Sequence, residues 1–394
     1  MIPRRDITLY KGLPFYLVRW VVNVFYRKDY RQLFRKSLEK FFGSGKIFLL
    51  SRGRFSFDLM LKSVGHKTDD EIIIPNYYLK ELTPPLERRG LKPVLCDISM
   101  PDLSLDSKEL SSKLNTNTRF VILPHMFGNC GDVDALIRII RAKAPNAMII
   151  EDCAHSFGAE YKGKKLGTFG DASLHSFDYI KPLNLLGGGA LLVNNEDILD
   201  NISKNYAEIP DAARIAGIRP IVYYLVQQLV LRTPLFSIVK RLMRSDTIRG
   251  WISKVHNSAP ETPSRLSAIQ SLIGHMQLKH FGEKHRTLKK AMDVYEREID
   301  TYFLERIPKG ENTKSSFYSL FVIMDEDSID IEKHMFRKGV DIGIKGEVMD
   351  VCKNDSSYRN SVFAYKGMIQ LPLHHRLSER RIRKIAKALN SYLD

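Results

Sequence analysis

The stretch Ile149–Val193 reads IIEDCAHSFGAEYKGKKLGTFGDASLHSFDYIKPLNLLGGGALLV and is the most informative part of the chain. An apolar run ends in an acidic pair, Glu151 and Asp152, and a triple glycine precedes a second apolar run. Between them the sequence predicts a hairpin punctuated by four glycines, Gly158, Gly163, Gly167 and Gly170. Buried strands with polar residues at their ends are where α/β proteins place ligands. The stretch therefore predicts a ligand site at one edge of a sheet.

Strands and helices alternate on the N-terminal side of this stretch. Apolar runs at 47–50, 71–75, 92–98 and 119–124 are separated by segments with helical patterns. This alternation indicates βαβ units and a mainly parallel sheet. Further along, a long helical pattern is followed by an α+β unit, with strands at 316–324 and 368–370 and helices at 329–338 and 378–392.

The length of the chain predicts more than one domain, because 394 residues exceed one ordinary hydrophobic core. We predict a basic, amphipathic helical segment at 1–44. A large domain should occupy 45–260 and include a helical insertion at 214–256. The remaining residues, 261–394, should form an interdomain helix at 264–300 and a smaller C-terminal α+β domain.

The formal net charge of +16 is concentrated in two segments. Residues 1–48 carry eleven Lys or Arg and three acidic residues, and 214–256 carry eight and one. A nucleic-acid enzyme would spread its basic residues along a groove, so we expect no nucleic-acid partner. Both segments are also apolar, but the run at 13–26 is too short to span a bilayer. Either 13–36 and 214–256 pack on the protein or a dimer partner, or they make peripheral contact with a membrane.

Four cysteines, Cys96, Cys130, Cys153 and Cys352, are scattered without a CxxC pair. This spacing argues against a disulfide framework or a zinc site and fits a reducing compartment. We expect no metal ion and a cytoplasmic protein, with the inner face of the membrane as the alternative location.

Four side chains of the central stretch suit one kind of cofactor. Asp152, His155, Ser176 and Lys181 supply an acid, a flat ring, a hydroxyl and an amine at strand ends. Pyridoxal phosphate needs a Schiff-base lysine and an acidic partner for its ring nitrogen. Upstream, a helix that starts at Gly53 would present backbone N–H groups to a phosphate, and Arg54 could add a charge-assisted hydrogen bond.

The same residues form the motifs of a known family. Residues 151–155 fit the pattern E-D-x-A-(Q/H), and 176–181 fit S-F-x-x-x-K, followed by glycines. Residues 265–270 fit R-(M/L)-S-x-I-Q, and Leu371-Pro372 precedes the last helix. On these motifs the chain resembles the pyridoxal-phosphate-dependent sugar aminotransferases of the DegT/DnrJ/StrS type, over residues 45–205 and 262–394.

The resemblance implies a fold and a role for each site residue. The fold would be that of fold-type I transferases, with a mainly parallel sheet of the seven-stranded type. Lys181 would be the catalytic residue, bonded to the cofactor aldehyde and moving the proton, and Asp152 would face the ring nitrogen. His155 would stack on the ring, and Ser176 would bind the phosphate. The remaining cofactor contacts would be Gly53, Arg54 and Phe55, together with the pair Tyr77 and Tyr78, of which one would line the cofactor.

Two positions depart from the family pattern. Gly53-Arg54 stands where the family has Gly-Thr, so Arg54 would take over from the lost hydroxyl. Pro263 stands where the family has an asparagine that reaches the phosphate of the neighbouring subunit.

The resemblance also implies an activity. The chain would transfer an amino group from an amino acid, L-glutamate in the family, to a keto group of a nucleotide-activated sugar for cell-surface glycans or glycoconjugates. It would act as a homodimer. One alternative is the same reaction on a membrane-associated acceptor, a lipid-linked sugar or keto-lipid. Another is a non-catalytic regulator, but the intact Lys181 argues against that. It also argues against the 3-dehydratase branch, which has His there.

Overall fold

The fold is seen in a computed structural model, which describes residues 1–5, 9, 12, 14–16, 18–19, 29–78, 86, 88–213, 218–232, 236–238, 262–342 and 355–394. Most of the predicted apolar helix at 13–26 lies outside the described residues, as does most of the helix expected near 79–90. The insertion at 214–256 is described only at 218–232 and 236–238. Among the described residues, no helix has both the length and the apolar content needed to cross a bilayer.

A seven-stranded sheet forms the centre of the molecule, in the order β1-β9-β8-β5-β4-β2-β3. Neighbouring strands from β3 to β8 run parallel, and β9 is antiparallel to both β8 and β1. The strands are β1 Lys46–Leu50, β2 Glu71–Pro75, β3 Lys92–Cys96, β4 Thr118–Pro124, β5 Met148–Asp152, β8 Ala172–Ser176 and β9 Gly189–Val193. The mainly parallel seven-stranded sheet predicted from the sequence is confirmed.

Helices cover both faces of this sheet, which explains why its inner strands are apolar on both sides. One core cluster includes Phe57 and Met60, and another includes Leu136 and Ile140. The α-helices are α1 Tyr30–Phe42, α2 Gly53–Ser63, α3 Ser107–Lys113, α4 Val133–Lys143, α5 Leu199–Ala207, α6 Ile218–Arg232, α7 Ala268–Lys279, α8 Phe281–Glu298, α9 Thr301–Leu304, α10 Ile329–Arg337, α11 Arg359–Gly367 and α12 Glu379–Asn390.

The helix predicted at 264–300 is not continuous. It is divided into α7 and α8 at His280, whose backbone has φ −101° and ψ 7°. The His280 N–H donates to the carbonyls of Gln277 and Leu278, so the regular hydrogen-bond ladder stops there. The two helices therefore pack on different parts of the molecule: α7 contacts α1, and α8 contacts α12.

The C-terminal unit has its own core. Strand β11, Leu320–Ile323, pairs antiparallel with β12, Met368–Leu371, and is shorter than the predicted strand at 316–324. The buried Asp97 of the large sheet region links the two units. Its carboxylate accepts hydrogen bonds from the backbone N–H groups of Asn360 and Ser361, at 3.0 and 2.8 Å.

The predicted glycine hairpin is present between β5 and β8. It consists of β6, Glu160–Tyr161, and β7, Lys164–Lys165, and β10, Thr313–Lys314, extends it to three strands. The hairpin thereby brings the segment that leads into β11 next to the end of β5.

The N-terminal basic segment includes a helix that packs on the protein. Helix α1 buries Phe34, Leu38 and Phe42, and its N-terminus is capped by Asp29, whose carboxylate accepts from the Gln32 N–H. It packs against α7 at Gly274, where an added Cβ would lie 2.6 Å from Phe34 Cζ and 2.7 Å from Leu185 Cδ2. A larger residue at this crossing would therefore force the side chains of Phe34 and Leu185 to move.

Substituting Gly274→Ala should destabilise the protein by about 2 kcal/mol, because the methyl group would overlap the buried side chains of Phe34 and Leu185, which would have to move. Gly282→Ala is the matched control, since its added Cβ has no heavy atom closer than 3.8 Å. The control should be neutral or slightly stabilising, as alanine usually is in a helix. Urea unfolding followed by circular dichroism measures both, and equal stability of the two variants would contradict the packing described.

Candidate active site

Asp152 is the last residue of β5, and its buried carboxylate is held from two sides. The Tyr78 hydroxyl donates to Oδ2 at 2.6 Å, and the Ala154 N–H donates to Oδ1 at 3.0 Å. Burial, and then the charge of Asp152, raise the pKa of Tyr78 well above its usual value. Tyr78 therefore remains a hydrogen-bond donor and fixes the direction of the carboxylate.

Glu151 projects from the opposite face of β5, because successive side chains of a strand alternate. Its fully buried carboxylate accepts from the backbone N–H groups of Gly167, Phe169 and Gly170 at 2.7 to 2.8 Å. His125 Nε2–H donates a fourth hydrogen bond at 2.8 Å. Burial alone would raise the pKa of Glu151, but His125 and the N–H groups together lower it.

Cys153 lies beside this carboxylate, and one atom each of His125, Glu151 and Cys153 lie within 4.8 Å of one another. Burial raises the pKa of the Cys153 thiol well above its usual value, so it stays protonated. Since both Glu151 oxygens already accept hydrogen bonds, the cluster has the character of a structural network.

His155 is part of a stack of aromatic rings. The ring of Tyr318 lies 4.4 Å away at 10°, and that of Phe127 lies 5.5 Å away at 15°. Burial, followed by the charges of Lys181 and Arg5, lowers the pKa of His155 well below its usual value. The imidazole is therefore neutral at neutral pH.

Lys181 lies at the same stack. Its Nζ is 5.3 Å from the centre of the Tyr318 ring, and its charge acts on His155. The Lys181 N–H donates to the Asp178 carbonyl at 3.0 Å, in the turn after β8. His155 and Asp152 line a common narrow gap. The amine and the carboxylate predicted from the sequence thus converge around His155.

Ser176 ends β8 and lies against the start of α2. An added Cβ on Gly53 would lie 3.3 Å from Ser176 Cβ, and one on Gly189 would lie 2.5 Å from Gly53 N. These glycines allow two backbone segments to meet beside the serine. Arg52 gives no side-chain cap to α2, so a helix N-terminus, which favours anions, lies next to a hydroxyl.

The other residues predicted to bind the cofactor, Arg54, Phe55 and Tyr77, have contacts with other parts of the protein. Arg54 is exposed, and its guanidinium lies 5.6 Å from the centre of the Phe55 ring. Phe55 packs against the large core, and its N–H donates to the Arg52 carbonyl at 3.2 Å. The Tyr77 hydroxyl donates to Met368 Sδ at 3.2 Å, so Tyr78 is the tyrosine that contacts Asp152.

Three residues of the site belong to none of the sequence motifs: Arg5, Phe127 and Tyr318. The Arg5 guanidinium lies 5.8 Å from the centre of the Tyr318 ring, and the N-terminal arm is attached to the C-terminal unit by the hydrogen bond from Ile2 N–H to the Gly339 carbonyl. Only Phe127, which follows a strand end, was in a place where a ligand contact could be expected.

The residues fit pyridoxal phosphate by their chemistry. They supply an amine, a buried carboxylate held by two donors, and a hydroxyl at a helix start where glycines leave room. His155 was expected to stack on the cofactor ring, but the Tyr318 ring already covers one of its faces. A cofactor ring on the face now covered by Tyr318 would take the place of the Tyr318 ring, 4.4 Å from His155.

Substituting Glu151→Gln should destabilise the protein by about 3 kcal/mol at pH 7, because an amide would face three backbone donors that need acceptors. The lowered pKa means that the stabilisation by Glu151 is complete above its ordinary value of 4.5 and is lost as the pH falls through the folded-state pKa. The difference from the parent should therefore shrink in acid.

Thermal and urea unfolding at pH 7 and pH 3.5 would measure this effect. Glu160→Gln is the control, since it removes a partly exposed carboxylate that pairs with Lys165 on the same hairpin. The control should cost less than about 1 kcal/mol. A Glu151→Gln protein as stable as the control would show that the network does not hold the hairpin.

The model of the DegT/DnrJ/EryC1/StrS aminotransferase family matches residues 18–390. GDP-perosamine synthase of Escherichia coli O157:H7 is 29% identical over 151 residues, which cover 38% of this chain and 41% of the relative. This chain therefore aligns with less than half of that relative.

A longer match is the dTDP-3-amino-3,6-dideoxy-alpha-D-galactopyranose transaminase of Aneurinibacillus thermoaerophilus, 21% identical over 91% of this chain and 89% of the relative. Among solved structures, a putative sugar aminotransferase of Streptococcus pneumoniae in its PMP form has a TM-score of 0.75 at 16% identity, covering 99% of this chain and 98% of that one. At this identity the structure shows the fold alone.

These findings confirm the resemblance and the fold class predicted from the sequence. Pyridoxal phosphate, the predicted cofactor, is confirmed as the cofactor of the family. The family model spans nearly the whole chain, including both motifs of the central stretch. The chain belongs to the DegT/DnrJ/EryC1/StrS aminotransferase family.

Proposed function

We propose that the protein is a pyridoxal-phosphate-dependent aminotransferase. It moves an amino group from an amino acid, L-glutamate in our proposal, to a keto group of a nucleotide-activated sugar. The observation that carries this proposal is the convergence of the Lys181 amine and the Asp152 carboxylate around His155. The names of two relatives, GDP-perosamine synthase and a dTDP-sugar transaminase, support the acceptor class.

Each residue has a distinct task in this reaction. The bound cofactor would supply an electron sink for the carbon that loses its proton. Lys181 would hold the cofactor covalently and, when released, carry the proton at the substrate carbon. Asp152, held by Tyr78 and Ala154, would keep the ring nitrogen protonated, which maintains the sink. Ser176 and the start of α2 would hold the phosphate.

The neutral state of His155 is compatible with this arrangement. A cationic imidazole beside the cofactor ring would attract the Asp152 carboxylate and so weaken its interaction with the ring nitrogen. Because burial and the nearby cations keep His155 uncharged, it can provide a flat apolar surface. We further propose that the protein is a homodimer located in the cytoplasm, with its active sites at the subunit interface.

Lys181→Ala should abolish the absorbance band at about 410–430 nm that a cofactor bound to a lysine gives. Transamination should fall by at least about 1,000-fold, as when a covalent catalyst is removed. Borohydride reduction and peptide mapping of the parent protein should place the pyridoxyl label on Lys181.

Lys164→Ala, in the neighbouring hairpin, is the control and should keep both the band and the activity. Its Nζ donates to the Thr168 carbonyl and has no role in the proposed site. A label on another lysine, or an active Lys181→Ala protein, would refute the proposed function.

A membrane-associated acceptor is the second candidate, favoured by the surface of α6. Val222, Leu225, Val226 and Leu229 are 52 to 60% exposed and lie on one face at helical spacing. The buried Tyr224 faces a core cluster instead. An exposed apolar stripe on a basic segment is typical of helices that lie at a membrane surface.

Flotation with vesicles that contain phosphatidylserine tests this candidate. The parent protein should float, and Leu225→Glu/Leu229→Glu should remain in the soluble fraction, because two carboxylates would enter the headgroup layer. Ile329→Glu is the control, since Ile329 is an exposed apolar residue on α10. A parent that does not float, or a double variant that floats equally well, would exclude the membrane contact.

A further inference from the structure

A cavity of about 760 Å³ lies between α8 and the segment 307–321. This volume is in the range of small-molecule sites. Of the active-site residues described above, Phe127 alone lines it. The side chains of Phe317 and Ser319 line the cavity, whereas Tyr318 between them contacts Lys181 and His155. The segment 317–319 thus separates the cavity from the active site.

The cavity is strongly cationic. Five basic side chains line it, together with one carboxylate, that of Glu296: Arg286, Lys289, Lys290, Lys309 and Lys314. Lys289 pairs with Asp293, and Lys314 pairs with Glu160 at 3.3 Å. Within the described part of the chain, Arg286, Lys290 and Lys309 form no ion pair. Like charges that share a cavity repel one another, so an anion bound there would be favoured.

Aromatic rings form the apolar side of the cavity. The rings of Phe127 and Phe321 are stacked with centres 3.8 Å apart, and Phe317 is also in the lining, with its ring centre 4.9 Å from that of His285. His285, also in the lining, donates Nε2–H to the Ser315 carbonyl at 3.0 Å, and its pKa is lowered chiefly by burial. It therefore adds a neutral ring at neutral pH. Aromatic faces beside cationic groups suit a ligand that has a flat ring and a phosphate.

Backbone strain points to the same place. Phe127 has φ 56° and Phe317 has φ 52°, both in the left-handed region that bulky residues rarely adopt. The Phe317 N–H donates to Ser315 Oγ at 3.1 Å, which helps to hold this conformation. Strained residues persist where the surroundings determine them, and they cluster at ligand sites. Both of these residues line the cavity.

We propose that this cavity binds a nucleoside phosphate, with the base on the aromatic side of the cavity and the phosphates on Arg286, Lys290 and Lys309. The binding of a nucleoside phosphate does not depend on the proposed function. The ligand is either a free nucleotide or the nucleotide part of a sugar acceptor, and the second of these rests on the proposed function.

Isothermal titration calorimetry of the cofactor-loaded full chain with UDP, dTDP and GDP tests the proposal. The parent should bind at least one of them. Arg286→Gln/Lys290→Gln should weaken that binding by at least about 10-fold, because two charge-assisted contacts are lost. Raising the salt concentration should weaken the parent more steeply than the double variant.

Lys279→Gln/Lys384→Gln is the matched control, since it removes two exposed positive charges that are not in the cavity lining. It should change the affinity by less than about 2-fold, as expected for screened surface charges. Absence of binding by all three nucleotides, or equal affinity of the two double variants, would overturn the proposal.

UDP-glucose, as a probe, distinguishes the two sources. If its affinity falls in parallel with that of UDP in Arg286→Gln/Lys290→Gln, the cavity takes nucleotide sugars. If only the affinity for UDP falls, the cavity takes free nucleotides. Lys181→Ala should bind the nucleotide as the parent does, so a failure of the aminotransferase proposal would not be mistaken for a failure of this one.

Discussion

The active site depends on the hydrogen bonds made by one buried carboxylate, that of Glu151. It accepts hydrogen bonds from three backbone N–H groups of the turn at 167–170 and from His125. Because it is fully buried, an unsatisfied donor at this point would cost the full desolvation penalty. The network therefore fixes the end of β5 relative to the hairpin, and alternation along the strand then directs Asp152 to the opposite face.

The site is assembled from distant parts of the chain on that fixed strand end. Tyr78 orients Asp152, and Ser316 Oγ donates to the His155 carbonyl at 2.9 Å, which attaches the C-terminal unit to the same loop. Tyr318 then meets both His155 and Lys181. A ring stacked on the face of His155 that Tyr318 now covers would displace that tyrosine, and cofactor binding would then be linked to the position of the segment around it.

Sequence patterns predicted the sheet and the motif residues because both depend on local features. Apolar runs marked the strands, and the spacing of 176–181 placed a hydroxyl and an amine around one turn. The break between α7 and α8 at His280 was not predicted, because the helical pattern of the sequence continues across it although the backbone turns there. The choice between Tyr77 and Tyr78 depended on the direction of each side chain, which a strand-end motif does not specify. Tyr318 and Arg5 were missed because their proximity to His155 arises only from tertiary packing.

A crystal structure of the protein with pyridoxal phosphate is the most direct test of the central claim, that the end of β5 holds an acid and a lysine for one cofactor. We expect the ring nitrogen within about 3 Å of an Asp152 oxygen, continuous density from the cofactor to Lys181 Nζ, and the Tyr318 ring moved from the face of His155. A cofactor bound elsewhere, or one whose ring nitrogen points away from Asp152 while Glu151 keeps its four hydrogen bonds, would contradict the claim.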